Sequence, residues 1–472
     1  MTDRPLPGKQ KLVNNDRWSK DELPESHTRP GATTRASTAI VIASGRSIRD
    51  VCLPIFQVSD AKIVSVNNAV HYADFSDFVF TLDTVALEER FHLPLFSGER
   101  IAAVPQDHWL QATRRDGKVA DRHPDIRYLD RVPFTKNDPQ DKIMTGCSGF
   151  GAYQFAYKFL GARTIFLFGC DHDEQGTHFY GEEIYGAEIA ARHKKNWDSA
   201  LNYWNEFTPP AKVATWNVSP KSKIESLPKI TWKMAFGMLG LPLVPVVTVL
   251  KSGGGFNESH VEWLQRQVRF PILCLTDSRQ PMNNVISIPL RYDWPGWWSK
   301  IEMFRDDLCL GNFLYADLDT VFIDGVPSEY QDLTETHVLS DMHGHSWIGS
   351  GLMFLHHTSR PSIWNAFISN PQSAMSASGH RGDQIFIDKF LNSAKRFQEV
   401  FPGRVVSYKA DVLKNRFHKP ENGDLSTARV VCFHGQPRPW DVSEPWIPKL
   451  VERTGRAGCS GFFGVPSRSG LE

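Results

Sequence analysis

The sequence lacks several features that would place it in a specialised class of protein. Lysine plus arginine and aspartate plus glutamate each number 53, so the formal net charge is zero. This balance gives no support for a nucleic-acid-binding surface. The 7 cysteines include no CxxC pair and are odd in number. That usage favours reduced thiols in a cytoplasm over a disulfide framework.

Long apolar segments are also scarce. Residues 1–31 are rich in charge and contain no apolar stretch, so we expect no secretory signal. The segment 234–250 approaches the length of a membrane span, but it contains Pro242 and Pro245. We interpret it as a short linker followed by a buried strand over 244–250. The sequence therefore predicts a cytoplasmic protein without a transmembrane segment.

The chain has 472 residues, which exceeds one ordinary core and predicts two domains of roughly 200 residues each. Continuous apolar runs alternate with amphipathic stretches, a pattern typical of parallel sheets covered on both faces. We predict an α/β protein with two Rossmann-like three-layer domains. The predicted divisions are a flexible tail over 1–36, a domain over 37–230, a second domain over 243–452 and a loose tail over 453–472.

Short apolar runs predict the individual elements. In the first domain, strands are expected at 39–43, 63–66, 78–82 and 164–168, with a helix over 149–160. In the second, the expected strands are VVTVL, PILCLT, VISIPL, FLYADLDTVFI and GLMFL, with early helices over 259–268 and 299–308.

The second domain carries a DxD pattern, Asp317-Leu318-Asp319, within the apolar run FLYADLDTVFI. A strand would bring the acids to its carboxyl edge, where α/β proteins form their sites. Strand alternation would direct both carboxylates to the same face. Two such carboxylates can hold a divalent cation that bridges a diphosphate. The pattern predicts a metal site that binds a nucleotide.

Further polar residues favour this site, and each suits one task. His434 suits a third metal ligand as a neutral imidazole, and Gly435 would let backbone approach a phosphate. Arg438 suits a diphosphate clamp. The remaining residues are Lys251 before a Ser-Gly-Gly-Gly loop, Lys300, which could meet a phosphate, and the pair Asp383 and Gln384 before an apolar helix.

The order of strand, DLD, GDQ and HGxxRPW over about 244–450 resembles family 8 glycosyltransferases and their phage and bacterial relatives. The resemblance implies a glycosyltransferase-A fold with a mainly parallel mixed sheet. It implies Mn²⁺ (or Mg²⁺) on Asp317, Asp319 and His434, with Arg438 on the diphosphate. It also implies that Asp383 and Gln384 lie beside the reacting sugar, and that the anomeric configuration is retained. In that family the metal histidine precedes the glycine by three positions, where this chain has Cys432.

The first domain has its own cluster of polar residues where predicted strands end. Ser44-Gly45-Arg46-Ser47 follows the first strand, and a glycine turn at a helix N-terminus can cradle phosphate. Asn67 and Asn68 follow the second strand. Later in the chain, GCSGFGA opens the helix that precedes the strand TIFLF.

Over about 38–228 this arrangement resembles the bacterial family 42 sialyltransferases and the 6-hydroxymethylpterin pyrophosphokinase-like domains. The matching stretches are SGRS, VNNA, GCSGFGA and FLFGCDHD, although Arg46 stands where the family has proline. The resemblance implies a nucleoside-monophosphate-sugar site that includes Ser44, Gly45 and Ser47, with Asn67 on the nucleotide. His193 would be the general base, and Tyr180 or Tyr185 would steady the leaving phosphate.

Three functions remain open from the sequence. The first is a glycosyltransferase whose C-terminal domain transfers a hexose from a nucleoside-diphosphate sugar, with UDP-sugar favoured, to a glycan or glycoconjugate. Its N-terminal domain would be a second, CMP-sugar-using or degenerate transferase. The second places a pyrophosphokinase-like domain beside the transferase, which ATP consumption without any sugar donor would reveal. The third is a non-catalytic, virion-associated binding protein, in which no donor would be cleaved.

Overall fold

The computed structural model describes residues 37–82, 96–105, 125–135, 137–172, 198–342, 344–413 and 425–453. Over those ranges the chain forms a mixed α/β structure with a large parallel sheet and further sheets, which confirms the predicted fold class. The expected tail over 1–36 and residues 454–472 lie outside the described residues.

The first sheet is parallel throughout. Its strands are β1 Thr38–Ile42, β2 Lys62–Val66, β3 Phe78–Thr81, β4 Glu99–Pro105, β5 Ile126–Val132, β6 Ile143–Met144, β7 Thr164–Phe168 and β8 Ala214–Asn217. They lie in the order β6–β5–β4–β3–β2–β1–β7–β8. The strand order therefore reverses between β1 and β7, which is where parallel α/β sheets open a crevice for ligands.

Helix α1, Ser148–Lys158, covers one face of this sheet. It begins after Cys147, whose side chain accepts a hydrogen bond from the backbone N–H of Phe150. Its side chains Phe150, Tyr153 and Phe155 are fully buried. The prediction of a helix over 149–160 is confirmed, with the ends displaced by one or two residues.

The second half of the chain contributes two further sheets. The strands are β9 Val246–Leu250, β10 Ile272–Thr276, β11 Val285–Pro289, β12 Phe313–Ala316, β13 Thr320–Phe322, β14 His337–Ser340, β15 Ile348–Leu355, β16 Lys395–Arg396, β17 Val405–Ser407 and β18 Val430–Cys432. The larger sheet has the order β11–β10–β9–β12–β15–β14–β16, and β15 runs antiparallel to both of its neighbours. The smaller sheet has the order β13–β18–β17.

The α-helices of this half are α2 Trp232–Leu239, α3 Glu258–Gln265, α4 Arg360–Ser369, α5 Pro371–Ser378, α6 Gly382–Leu391 and α7 Phe397–Val400. Polar side chains cap several of them: Thr231 accepts from Met234 N, and Asn257 forms a capping box with His260. Such caps satisfy backbone N–H groups that have no partner within the helix.

Short 3₁₀ and π segments connect many of these elements. The 3₁₀ segments are Arg46–Asp50, Leu53–Val58, Asn67–His71, Gly296–Phe304, Asp306–Leu308, Ser328–Asp332, His357–Ser359, Gly379–Arg381 and Pro439–Asp441, and Tyr408–Leu413 is a π-helix. The predicted helix over 299–308 is wrong in type. The extended backbone of Arg305, with φ −58° and ψ 136°, divides the segment into two 3₁₀ pieces.

The expected strand FLYADLDTVFI is also wrong as one element. The chain leaves the larger sheet after Ala316 and enters the smaller one at Thr320. Asp317 and Asp319 therefore lie in the turn between two strands, and strand alternation does not set their directions. The segment 234–250 is likewise divided, between α2 and β9.

One apolar core joins the first sheet to the larger second sheet. It includes Ile40 and Phe168 from one and Val247, Phe304 and Phe313 from the other. Backbone hydrogen bonds cross the same boundary, from Leu53 N to Cys309 O at 3.0 Å and from Asn312 N to Asp50 O at 3.3 Å. The two units therefore share buried surface, while the domain limits given above stay a prediction. Across the described part of the chain, the helices are too short or too polar to cross a lipid bilayer.

A substitution at Gly311 tests the packing where the two units meet. This glycine has φ +55°, and a Cβ at this position would lie 2.5 Å from Asp50 O. We expect Gly311→Ala to lower the free energy of unfolding by at least about 1 kcal/mol, since an L-residue in this conformation already costs that much. The measurement is urea unfolding followed by tryptophan fluorescence.

Gly237→Ala is the matched control, because Gly237 lies within α2 and a Cβ there would meet nothing within 4 Å. This change should raise stability by about 0.5–1 kcal/mol. Equal effects of the two substitutions would contradict the packing described at Gly311.

Candidate active site at the edge of the second sheet

The DxD turn is fixed at the carboxyl end of β12. Asp317 N donates to Gly351 O on β15 at 2.8 Å, and Thr320 N donates to Asp317 O at 3.0 Å. A Cβ on Gly351 would lie 3.0 Å from Asp317 Oδ2, so the absence of a side chain there leaves space beside this carboxylate. Both acids follow the last residue of β12, at the carboxyl edge of that strand.

Two neighbours hold the Asp317 carboxylate. Tyr315, the last but one residue of β12, donates its hydroxyl to Asp317 Oδ1 at 2.5 Å. Lys300 Nζ lies 3.0 Å from the same oxygen and 5.1 Å from the centre of the Tyr315 ring. The Asp317 carboxylate therefore has a fixed orientation with a cation beside it.

Lys300 joins Asp317 to a second carboxylate. Its Nζ lies 3.2 Å from Asp383 Oδ2, at the start of α6, and Ser350 Oγ donates to the same oxygen at 3.2 Å. Burial alone would lower the pKa of Lys300, but the charges of Asp317 and Asp383 outweigh it and raise that pKa. Burial raises the pKa of Asp383, against the opposing effect of Lys300. The three side chains thus form one ionic group, in which Lys300 and Asp383 are buried and Asp317 is partly exposed.

Asp319 pairs with a different cation. Its carboxylate forms an ion pair with the guanidinium of Arg438. Burial, followed by the charge of Asp317, raises the pKa of Asp319 to about 7, although Arg438 acts in the opposite direction. Arg438 also lies 4.9 Å from the ring centre of Phe256. The arginine is therefore held between the DxD turn and the loop that follows β9.

His434 lies four residues before this arginine in sequence but makes other contacts. Its Nε2 lies 2.7 Å from Ser407 Oγ on β17, and its backbone carbonyl accepts from Lys409 Nζ at 2.5 Å. Gly435 has φ +74°, and a Cβ there would lie 3.3 Å from Lys409 Nζ. This glycine keeps the backbone open at a place where a basic side chain is close.

The predicted ligand set does not assemble into a compact group. Among the described residues, ligand atoms of Asp317, Asp319 and His434 do not converge to within 4.8 Å of one another. The structure contains one convergent group of that kind within its described ranges, formed by Asp50, His356 and His357 at the boundary between the two units.

Lys251 is held by carboxylates of its own. It forms an ion pair with Asp277, and its Nζ lies 2.8 Å from Asp293 Oδ1. Ser252 N also donates to Asp277 Oδ1, at 2.8 Å. The loop that begins at Lys251 leads to Phe256 and so to Arg438, which places it at the same sheet edge as the DxD turn.

The neighbouring residues Trp297 and Trp298 differ in burial. Trp298 is buried and stacks on Phe367 at 5.6 Å. Trp297 is 57% exposed, and a Cβ on Gly382 would overlap its indole ring. Because Gly382 precedes Asp383, an exposed aromatic face lies at the rim of the ionic group.

In the first unit, the predicted phosphate loop lies at the strand reversal between β1 and β7. Gly45 N donates to Gly169 O at 2.8 Å, and Ser47 N and Oγ donate to Asp171 at 2.8 and 2.5 Å. A Cβ on Gly45 would lie 2.5 Å from Asp171 Oδ2. Ser44 precedes this turn. The turn is therefore bound tightly to the end of β7.

A crevice of about 860 Å³ opens beside this turn. Its lining includes Arg46, Asp171, Lys221 and Lys223. Asn67, at the end of β2, has φ +50°, and within the described residues its buried Oδ1 has no hydrogen-bond partner. The predicted site residues Tyr180, Tyr185 and His193 lie outside the described residues.

Sequence reasoning missed Tyr315, Ser350 and Phe256. Tyr315 had a usable signal, since it precedes Asp317 by two positions in a strand that ends there. Ser350 and Phe256 had none, because their role depends on which strand and which loop lie beside β12.

Comparison with solved structures finds glycosyltransferases. GlyE of Streptococcus pneumoniae TIGR4 matches with a TM-score of 0.30 and 14% identity, over 42% of this chain and 56% of GlyE. The bifunctional glycosyltransferase WbbM gives 0.29 and 13%, over 42% and 46%. Mouse xyloside xylosyltransferase 1 gives 0.27 and 11%, over 41% and 98%. The chain thus spans about half the length of GlyE and WbbM.

At TM-scores this low, the structural similarity does not indicate an activity for this chain. No family model matches the sequence, and no curated protein matches it significantly. The resemblances to family 8 and family 42 therefore stay predictions.

The buried ionic group generates a prediction about stability. Removing the cation with Lys300→Met leaves the buried Asp383 carboxylate without its ion-pair partner, and such a loss costs about 3–5 kcal/mol. The cost should shrink as the pH falls, because burial raises the pKa of the Asp383 carboxyl in the folded state, so that it binds a proton there first. Urea unfolding between neutral and acidic pH measures both effects.

Lys251→Met is the control for this prediction. Lys251 also faces two carboxylates, but its partner Asp293 is 67% exposed. Solvent screens such pairs, so the expected loss is about 1 kcal/mol or less. A loss for Lys300→Met that is no larger, or that grows on acidification, would contradict the buried arrangement.

Proposed function

We propose that the C-terminal part of the chain is a metal-dependent glycosyltransferase that transfers a hexose from a nucleoside-diphosphate sugar, with UDP-sugar favoured, and retains the anomeric configuration. The observation that carries this proposal is the convergence of Asp317, Asp319 and Asp383 with Lys300 and Arg438 at one sheet edge. Acids that can hold a cation thus lie beside bases that can hold a diphosphate.

The residues fit a divalent cation on electrostatic grounds. Asp317 and Asp319 lie close enough that each charge disfavours the other, and Asp319 is buried. A Mn²⁺ or Mg²⁺ ion on these two carboxylates would relieve that repulsion and, when bound, would neutralise charge on the departing nucleoside diphosphate. Gly351 keeps the space beside Asp317 Oδ2 open.

His434 would serve as a third ligand through Nδ1. Its Nε2 lies 2.7 Å from Ser407 Oγ, and an imidazole that donates one N–H to a neighbour presents its other nitrogen to a metal. The ring would have to approach Asp317 and Asp319, which do not share a compact group of ligand atoms with it in the described residues. Asp317 and Asp319 are therefore the primary ligands in this proposal.

The remaining residues have distinct tasks. The guanidinium of Arg438 can exchange the Asp319 carboxylate for a diphosphate oxygen, since both are planar or tetrahedral oxyanions that accept paired N–H groups. The open backbone at Gly435 allows the same phosphate to approach. Lys300 fixes Asp383 beside the transferred sugar, with Gln384 next to it in the first turn of α6. The exposed face of Trp297 would receive the acceptor glycan.

The test is donor hydrolysis by the full chain. We would incubate it with UDP-, GDP- and CMP-sugars, with Mn²⁺ or with EDTA, and measure the nucleotide released. The expected result is Mn²⁺-dependent release of UDP or GDP that falls at least a hundredfold in Asp317→Asn/Asp319→Asn, because oxyanion stabilisation by such groups contributes about 10²–10³ in rate.

Asp324→Asn is the control for this experiment. Asp324 lies at the opposite end of β13 from the DxD turn, and its side chain is 71% exposed and pairs loosely with Arg429. The Asp324→Asn variant should hydrolyse the donor at the same rate as the unchanged chain. Hydrolysis that persists in EDTA, or that survives in the double variant, would contradict a metal site on the DxD turn.

A second proposed function belongs to the crevice of the first unit, which would bind a nucleotide in a CMP-sugar transferase or a degenerate form of one. The observation that favours it is the position of the crevice at the strand reversal. Asn67 is outside the crevice lining and follows the neighbouring strand β2, and its Oδ1 is buried without a partner among the described residues. Asn67 also adopts a left-handed backbone conformation, and such strain concentrates at functional sites. Arg46, Lys221 and Lys223 would attract the phosphate.

Calorimetric titration with CMP tests this second function. We expect binding that weakens at least fivefold in Lys221→Ala and is unchanged in Lys212→Ala, since Lys221 lines the crevice and Lys212 does not. Binding of ATP in place of CMP, with release of AMP in the absence of a sugar, would instead favour the pyrophosphokinase-like alternative. Failure to bind either nucleotide would overturn the proposed site.

A further inference from the structure

Three metal-ligating side chains meet where the two units join. Asp50 ends the 3₁₀ segment that follows β1, while His356 and His357 follow β15 of the second sheet. One ligand atom from each of the three lies within 4.8 Å of the other two. Residues about 300 positions apart in the sequence thus converge on one point.

Asp50 and His357 are in direct contact within this group. Asp50 Oδ1 lies 2.7 Å from His357 Nδ1, which is an ion-pair distance. Yet Nδ1 is buried and, among the described residues, has no hydrogen-bond partner of acceptable geometry.

The backbone holds the group in place from both sides. Asn312 N donates to Asp50 O at 3.3 Å, and Asn312 Oδ1 accepts from His357 N at 2.9 Å. One asparagine thus fixes the main chain of both residues. His356 is held separately, with its Nδ1 2.9 Å from Thr358 Oγ1. Ligands supported in this way by neighbours lose little freedom when a metal binds.

We propose that Asp50, His356 and His357 form a transition-metal site that fastens the two units together. Two imidazoles and one carboxylate match zinc or cobalt and do not match calcium or magnesium, which prefer oxygen ligands. Ligand atoms around tetrahedral zinc lie about 3.3 Å apart, given bonds of about 2.0 Å. The observed group needs shifts of an ångström or so to reach that geometry.

The site is open enough to load and is separate from the DxD turn. The side chains of Asp50 and His357 are 42% and 22% exposed, so an ion has a path from solvent. Asp50 also lines the crevice of the first unit. The DxD turn uses none of these residues. A metal here would stabilise the joined arrangement, because both units supply ligands and binding free energy becomes folding free energy.

The test is titration of the metal-free full chain with Co²⁺ and Zn²⁺. The Asp317→Asn/Asp319→Asn chain is used beside the unchanged one, so that the proposed donor site contributes no ion. We expect about one equivalent bound by the double variant, with a Co²⁺ absorption band typical of nitrogen ligands and a rise in the unfolding temperature with Zn²⁺. His356→Gln and His357→Gln should each lose that equivalent, the band and the rise.

His345→Gln is the matched control. His345 is an exposed histidine that contacts Asp341 at 2.8 Å and stacks on Trp347, far from Asp50 in sequence and outside the group. The His345→Gln variant should bind Co²⁺ and Zn²⁺ as the unchanged chain does. His356→Gln preserves the contact between Asp50 and His357, so loss of folding is not expected to confuse the result. Absence of binding, or binding that survives both His356→Gln and His357→Gln, would overturn the proposal.

Discussion

The candidate site depends on the burial of one cation, the Lys300 ammonium, between two carboxylates. Lys300 comes from the 3₁₀ segment Gly296–Phe304, Asp317 from the turn after β12, and Asp383 from the first turn of α6. A buried charge is costly unless it is paired, so each of these elements is positioned by the need to complete the group. Ser350 on β15 adds a hydrogen bond that ties the group to the centre of the sheet.

A second cation, Arg438, connects further segments of the site through an ion pair of its own. It binds Asp319 and lies over Phe256, so the DxD turn, the loop after β9 and the segment Pro439–Asp441 are held together through one guanidinium. Both basic residues face acids that repel each other. The positive and negative charges of this group offset each other without a ligand. A ligand that brings both a divalent cation and a diphosphate can offset them as well, with the cation on the acids and the diphosphate on the bases.

Much of the fold could be predicted because buried parallel strands have a clear apolar signature. The runs that became β1, β7, β9 and β10 were recognised to within one or two residues. The failure at FLYADLDTVFI has a simple physical cause. The apolar pattern continues through Val321 because β13 is buried in a second sheet, and the pattern cannot reveal that the chain changes sheets at Asp317.

The site could be predicted only in part for a related reason. Residue types, their positions along the chain and the resemblance to family 8 glycosyltransferases predicted Asp317, Asp319, Lys300, Asp383 and Arg438, and the structure brings these together. Which acid pairs with which base depends on contacts between distant elements, and this pairing was not predicted. The same holds for the group at Asp50, because nothing in the local sequence near His356 indicates a partner in the other half of the chain.

The apolar core that joins the two units has a consequence for synthesis of the protein. Phe56 and Phe168, from the first half, pack with Phe236 and belong to the same cluster as Phe304 and Phe313. The first half leaves the ribosome before the second exists, and elongation at about 5–20 residues per second leaves that apolar face uncovered for many seconds. The nascent chain would depend on chaperones during that interval, and neither half is suited to be produced alone.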